Sequence, residues 1–189
     1  MGLQIESGLG NGKTAGVDDD NHLKTAAHTQ SKLAFISQDK GKAFTIYGRR
    51  DFVAANTNEG ILYFKYTGNK NFYIQSIQVA ANTMDVSGVG NKVEIYLDSA
   101  YISGGTTVTP INLNRGSGNV LDALVYNGNT DLAVTAGSTE IVDFRLGADS
   151  YEWHIDNALV LAPNSVLYIL GEVQNIGDKI RVMVLGFED

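Results

Sequence analysis

The chain has 189 residues, a formal net charge of −7 and no cysteine. Its length suits one domain, or one domain with an arm, and its 43% hydrophobic residues are enough to bury a core. The lack of cysteine excludes disulfides, thiolate zinc sites and cysteine nucleophiles. The acidic balance argues against nucleic acid as a partner. No apolar run approaches the roughly 20 residues of a membrane helix and no secretory signal is visible, so we expect no membrane partner.

The first 32 residues differ in composition from the remainder and are predicted to form an extended N-terminal arm. They are rich in Gly, Asp, Asn, Thr and Lys, and no helical or strand period persists in them. Such a segment cannot bury enough surface to fold alone. A solvated tail is the alternative, but scattered aliphatic side chains favour an arm that becomes ordered on a partner. The candidate partner-binding residues are Leu3, Ile5, Val17 and Leu23.

Residues 33–189 are predicted to form one β-sandwich domain. Short β-rich runs separated by Asn, Gly and Asp turns indicate an all-β fold, an antiparallel sandwich or barrel. We expect a jelly-roll-like sandwich without an amphipathic helix longer than two turns, and 121–126 is the segment where a helix is the strongest alternative to a strand. The predicted strands are 43–47, 61–66, 72–79, 92–97, 120–126, 132–135, 142–146, 158–162, 165–170 and 180–185. The predicted core contains Val93, Ile95, Phe144, Trp153, Val182 and Val184.

Two of these runs, 61–66 and 72–79, flank a Gly/Asn turn and are predicted to pair as a hairpin. The second run changes its apolar face partway, because Phe72 and Ile74 share one face and Ile77 and Val79 share the other. A β-bulge or burial on both faces would explain this change.

Aromatic side chains crowd the same two runs. They could form a platform on which sugars stack, but cross-strand pairs and core packing are the commoner arrangement and the one we expect. The residues concerned are Tyr63, Phe64, Tyr66, Phe72 and Tyr73.

Catalytic chemistry has little support in the sequence. The chain has only three histidines, two of them in the predicted arm, and no G-x-S-x-G nucleophile elbow. Glu152, His154 and Asp156 alternate along a predicted strand at a spacing that metal ligands can have. A polar outer face beside the apolar Trp153 and Ile155 is the simpler interpretation. We therefore expect a protein that is not an enzyme and that has no cofactor or metal.

Several short motifs resemble those of small structural proteins from tailed bacteriophage virions. The resemblance is patchy and covers nearly the whole chain, but none of its motifs is catalytic. Its segments are Ile5-Glu6-Ser7-Gly8, Gly10-Asn11-Gly12-Lys13, 17–23, Gly60-Ile61-Leu62-Tyr63, 71–74, Thr109-Pro110-Ile111-Asn112, 113–117, 161–165 and 182–187.

This resemblance implies a head decoration, or cement, protein that binds and stabilises the capsid shell. It implies the major capsid protein or neighbouring virion subunits as partners, a homotrimer as the oligomeric state, and the capsid surface of the virion as the location after synthesis in the host cytoplasm. Tail-associated proteins are similar, so a place in the tail stays open. The alternative is a carbohydrate-binding or host-recognition module on a β-sandwich, associated with a tail or head fibre. Fold alone cannot separate these functions.

Overall fold

A computed structural model describes residues 32–82, 90–128, 131–135, 139–146 and 151–188. It begins with helix α1 (Lys32–Phe35), which runs directly into a π-helical turn (Ile36–Lys40). The β-strands of the described residues are β1 (Ala43–Asp51), β2 (Glu59–Tyr66), β3 (Phe72–Ala81), β4 (Asn91–Leu97), β5 (Tyr101–Ser103), β6 (Thr106–Thr107), β7 (Ile111–Asn112), β8 (Ala123–Asn127), β9 (Ala133–Val134), β10 (Thr139–Leu146), β11 (Tyr151–Leu161), β12 (Val166–Glu172) and β13 (Lys179–Glu188).

Two antiparallel sheets form the sandwich, as the alternating sequence predicts. The five-stranded sheet has the order β11-β3-β13-β1-β7, and the six-stranded sheet has the order β10-β4-β12-β2-β8-β6. Strands β5 and β9 pair separately. The all-β, antiparallel prediction is therefore confirmed.

Strand pairing between the two halves of the chain is nested. Strand β1 pairs with β13, β2 with β12, β3 with β11 and β4 with β10. Alternate pairs belong to alternate sheets, so the chain crosses from one sheet to the other after each of its first three strands. The five short or edge strands β5 to β9 lie within one insertion between β4 and β10, which we call the β4–β10 insertion (residues 98–138).

The main core lies between the inward faces of the two sheets. Four of the predicted core residues, Val93, Ile95, Val182 and Val184, are buried there, and Trp153 is half-buried against them. The Phe144 side chain is outside the described set. Burying each large apolar side chain contributes roughly 1.5–3 kcal/mol before entropy costs.

The predicted hairpin between 61–66 and 72–79 is wrong in its pairing. Both strands exist, as β2 and β3, but they lie in different sheets. The connecting turn crosses the sandwich, and Phe64 meets Phe72 edge-on with ring centroids 5.3 Å apart. Turn residues specify a reversal of the chain, but whether the two strands pair depends on where their apolar faces can be buried.

The predicted change of face in β3 is confirmed. Opposite β13, Ser76 pairs with Leu185 and Ile74 pairs with Gly186, so Gln75 is an extra residue in the ladder. This irregularity lets Phe72 and Ile74 point inward before it and Ile77 and Val79 after it. All four side chains are buried.

The helical start of the described chain is not among the predicted elements, the first of which is the strand at 43–47. Leu33 and Ile36 from this segment pack with Ala43, Tyr73 and Phe187, which gives the helical turns their own small apolar cluster. Gly41 ends the segment with a φ of +60°. Glycine in this left-handed conformation is the common stop signal of a helix.

The predicted arm residues Leu3, Ile5, Val17 and Leu23 lie outside the described residues. The boundary between arm and sandwich therefore stays a prediction. Within the described ranges no helix is long and apolar enough to cross a bilayer.

Candidate functional site

The outer face of the six-stranded sheet carries a second apolar cluster. Strands β2 and β12 contribute the buried Tyr63, Val166 and Tyr168, and Leu132 of the β4–β10 insertion packs on them. Because the insertion folds back over this face, side chains far apart in sequence meet here. Two open clefts flank the cluster.

The first of them, which we call the tyrosine cleft, has a volume of about 450 Å³. The rings of Tyr101 and Tyr126 stack with centroids 4.4 Å apart and planes 11° apart. Tyr63 lies 5.7 Å from Tyr101 and 6.2 Å from Tyr126, tilted to both rings. Tyr101 is 38% exposed, so part of this aromatic group faces solvent.

Polar side chains line the rest of the tyrosine cleft. Lys65 comes from β2, Asp98 and Ser99 follow β4, and Asn164 lies in the turn before β12. Ser99 is 1% exposed, and its hydroxyl has no hydrogen-bond partner among the described residues. A buried polar atom without a partner is rare in proteins and requires an explanation.

Backbone geometry holds two of these rim residues in place. Asp98 has a φ of +62° and Asn164 a φ of +70°, both in the left-handed region that few residues other than glycine adopt. The Asp98 amide donates to the Val166 carbonyl at 3.1 Å, and the Asn164 amide donates to the Tyr66 carbonyl at 2.9 Å. The neighbouring strands therefore fix the unusual backbone and, with it, the direction of both side chains.

The second cleft, of about 650 Å³, surrounds Arg50 of β1. The guanidinium is ion-paired with Glu59 and donates to the Gly128 carbonyl at 2.7 Å and to Asp131 at 3.0 Å. The Arg50 side chain is only 5% exposed and that of Glu59 only 11%. The donors of Arg50 thus join β1 to β2 and to the insertion, which is a structural role.

Tyrosines near this second cleft remain protonated over a wide pH range. Burial raises the pKa of Tyr168 to about 12. Burial, followed by the nearby carboxylates of Glu94 and Glu140, raises the pKa of Tyr96 to about 12. Both hydroxyls are therefore neutral hydrogen-bonding groups at physiological pH and not bases.

The aromatic residues noted in the sequence separate into three places. Phe64, Tyr66 and Phe72 belong to the main core, as the core interpretation predicts. Tyr73 stacks on Phe187 with centroids 5.3 Å apart. Only Tyr63 of these residues belongs to the cluster on the outer face of the six-stranded sheet, so they do not present one continuous platform.

Of the metal candidates, Glu152, His154 and Asp156 do lie at alternate positions of β11. Their side chains are not among those described. No group of three metal-ligating side chains occurs in the part of the chain that the structure describes.

Sequence reasoning missed the tyrosine cleft because its members come from four separated stretches, near residues 63–65, 98–101, 124–126 and 164–166. The only local signals were Asp98 directly after a strand and Asn164 after a proline, which are typical of turns. Comparison with known proteins adds no assignment, since no family model and no curated protein matches the chain.

Proposed function

We propose that this protein is a non-enzymatic structural component of a tailed-bacteriophage virion, a decoration protein that binds the capsid shell and stabilises it. The resemblance of its motifs to such proteins extends from residue 5 to residue 187. The proposal includes a homotrimer on the capsid surface, with the major capsid protein as partner.

Nested strand pairing supports a jelly-roll assignment within this proposal. In a jelly roll two antiparallel sheets, of eight strands in all, are connected as two Greek keys. The pairs β1–β13, β2–β12, β3–β11 and β4–β10 supply eight strands in two sheets of four. Such a sandwich has rigid outer faces and an exposed insertion, and both suit a protein that works by binding neighbouring subunits.

The single observation that carries the proposal is the clustering of exposed apolar side chains. Six of the ten large hydrophobic side chains that the described residues expose lie in residues 101–124 of the β4–β10 insertion. They are Tyr101, Ile102, Ile111, Leu113, Val120 and Leu124. Scattered exposed apolar residues need no explanation. These six lie close together in sequence, and Ile111 on β7 and Leu124 on β8 belong to different sheets, so the insertion offers several apolar contacts and not one patch.

Weak contacts are sufficient for this function. A decoration protein that contacts several shell subunits gains avidity, because each further contact forms within an already attached molecule. The exposed fractions of Val120, 74%, and Ile111, 47%, leave apolar surface available for burial against a subunit.

The test is co-sedimentation of the purified full-length protein with capsids that lack it. We expect the double variant Ile111→Asp/Val120→Asp to bind at least about tenfold more weakly, because two charges would enter the buried surface. The matched control is Val53→Asp/Ile176→Asp, since these residues are 71% and 73% exposed but lie outside the insertion. Equal binding by the two double variants would exclude the insertion as the attachment surface.

A further inference from the structure

We propose that the tyrosine cleft binds a pyranose ring of a neutral oligosaccharide. This inference is argued from the cleft, but Tyr101 and Leu124, which line it, also belong to the exposed apolar set assigned to the shell-binding surface, so it concerns the protein free of the shell. Its volume of about 450 Å³ falls in the range of small-ligand sites.

Aromatic surface is the first requirement for a sugar, and Tyr101 supplies it. The C–H groups on one face of a pyranose pack on the apolar body of a tyrosine. The Tyr101 hydroxyl donates to the Gly104 carbonyl at 2.9 Å, so towards a sugar hydroxyl it acts as an acceptor. Tyr126 stacks under Tyr101 and Tyr63 braces both rings, so the exposed ring is held in one orientation. A ring fixed in advance loses little conformational freedom when the ligand arrives.

Hydrogen-bonding groups without partners are the second requirement, and Ser99 meets it. Ser99 is one of the residues that line the cleft, and its buried hydroxyl has no hydrogen-bond partner within the described structure. A hydroxyl can both donate and accept. A sugar hydroxyl can do the same, so a single sugar hydroxyl could either donate to Ser99 or accept from it.

Charge at the rim selects a neutral ligand. The ionisable side chains that line the cleft outside its tyrosines are Lys65 and Asp98, which are of opposite sign. Together with the side-chain amide of Asn164 they provide hydrogen-bond donors and acceptors without a net charge. An anionic ligand such as a phosphate would meet the Asp98 carboxylate, whereas a neutral sugar can bond to all three groups.

The larger cleft around Arg50 does not have these properties. Its guanidinium is already bonded to Glu59, Gly128 and Asp131. A ligand that bonded to this guanidinium would have to replace internal bonds, while a ligand hydroxyl that reached Ser99 would complete a missing one.

Saturation-transfer NMR with the full-length protein tests the inference. The probes are maltohexaose, xylohexaose, chitohexaose and a linear galactose oligomer, each added separately. We expect saturation to pass to the ring protons of at least one of them, and calorimetry then gives its affinity. Absence of transfer to all four sugars would overturn the proposal.

Variants locate the binding. Tyr101→Ala should weaken the affinity by about tenfold or more, because the stacking surface is removed. Tyr47→Ala is the matched control, since Tyr47 is 36% exposed on β1 in the other sheet. Ser99→Ala removes a hydroxyl that has no partner in the described structure, so it should leave folding intact and weaken the affinity severalfold. Affinity that is unchanged in both Tyr101→Ala and Ser99→Ala would also overturn the proposal.

Discussion

Among individual residues, Arg50 is a buried charge whose partners can be named. A charge with a side chain 5% exposed loses most of its hydration, and its partners must compensate for that loss. Glu59, 11% exposed, provides the opposite charge, and the Gly128 carbonyl accepts a further bond. Asp131 is 95% exposed and contributes little to the compensation.

Replacing one member of this pair should therefore cost more than replacing both. We expect Arg50→Met to lower the free energy of unfolding by about 3–5 kcal/mol, because the carboxylate of Glu59 remains buried without a cation. The double variant Arg50→Met/Glu59→Gln should recover part of this loss. Urea unfolding measures both variants, and a double variant no more stable than Arg50→Met would contradict the role assigned to Glu59.

At the scale of elements, the junction between the helical segment and β1 depends on Gly41. Its φ of +60° is unfavourable for any side chain, and a Cβ atom there would overlap the Ser117 hydroxyl. The side chain of Asn112 also donates to the Gly41 carbonyl, at 2.7 Å, so this turn connects the helical segment to the β4–β10 insertion.

Gly41→Ala should therefore lower the free energy of unfolding by about 1–3 kcal/mol. Gly118→Ala is the control, because nothing lies within 4 Å of a Cβ built at Gly118. Thermal unfolding of the two variants compares them directly. If both have the melting temperature of the parent, the backbone at Gly41 is not constrained as described.

The elements also show how far the sequence determines this fold. Alternation in 92–97 and 180–185 predicts strands with Val93 and Val182 inside, and both are buried. The sequence does not show that β2 and β3 lie in different sheets. The turn at 67–71 has the same types of residue whether the chain stays in one sheet or crosses to the other. The helical segment at 32–40 could not be predicted, because its apolar residues are consecutive and too few to show a helical period.

Site prediction was limited by the distance in sequence between the members of the cleft. Tyr63 belongs to the aromatic residues that the sequence singles out, but Ser99 and Tyr101 are not part of any recognisable sequence motif. Only the folding of the insertion onto β2 and β12 brings the three together.

The predicted arm gives a separate test at this scale. A chain beginning at Lys32 should keep nearly the same melting temperature, because residues 1–31 lack the periodic apolar pattern of a core element. It should lose attachment to the particle if Leu3, Ile5, Val17 and Leu23 are buried there, each contributing on the order of 1.5 kcal/mol before ordering costs. Full-length protein with these four residues replaced by Ser is the control for length. A truncated chain that binds particles as well as the full chain would show that the arm is only a tail.

For the whole molecule, nested pairing makes stability a property of both halves of the chain. The first strand β1 lies between the last strand β13 and the insertion strand β7, so neither half can complete a sheet by itself. Such non-local pairing favours slow, cooperative folding. The insertion belongs to this arrangement as well, because its Leu121 and Val125 are buried in the main core.

The proposed homotrimer is supported only by the family resemblance. The aromatic side chains of 61–79 give no further argument for a trimer, because Phe64, Tyr66 and Phe72 lie in the core between the sheets. Surface available for subunit contact lies instead in the β4–β10 insertion, where Val120 and Ile102 are 74% and 58% exposed.

Cryo-electron microscopy of assembled virions tests the central claim most directly. The proposal predicts density for a two-sheet sandwich on the outer surface of the head, in groups of three copies, with residues 101–124 or the arm against the shell. A head surface without this density, or the protein found only in the tail, would contradict the claim that it decorates the capsid.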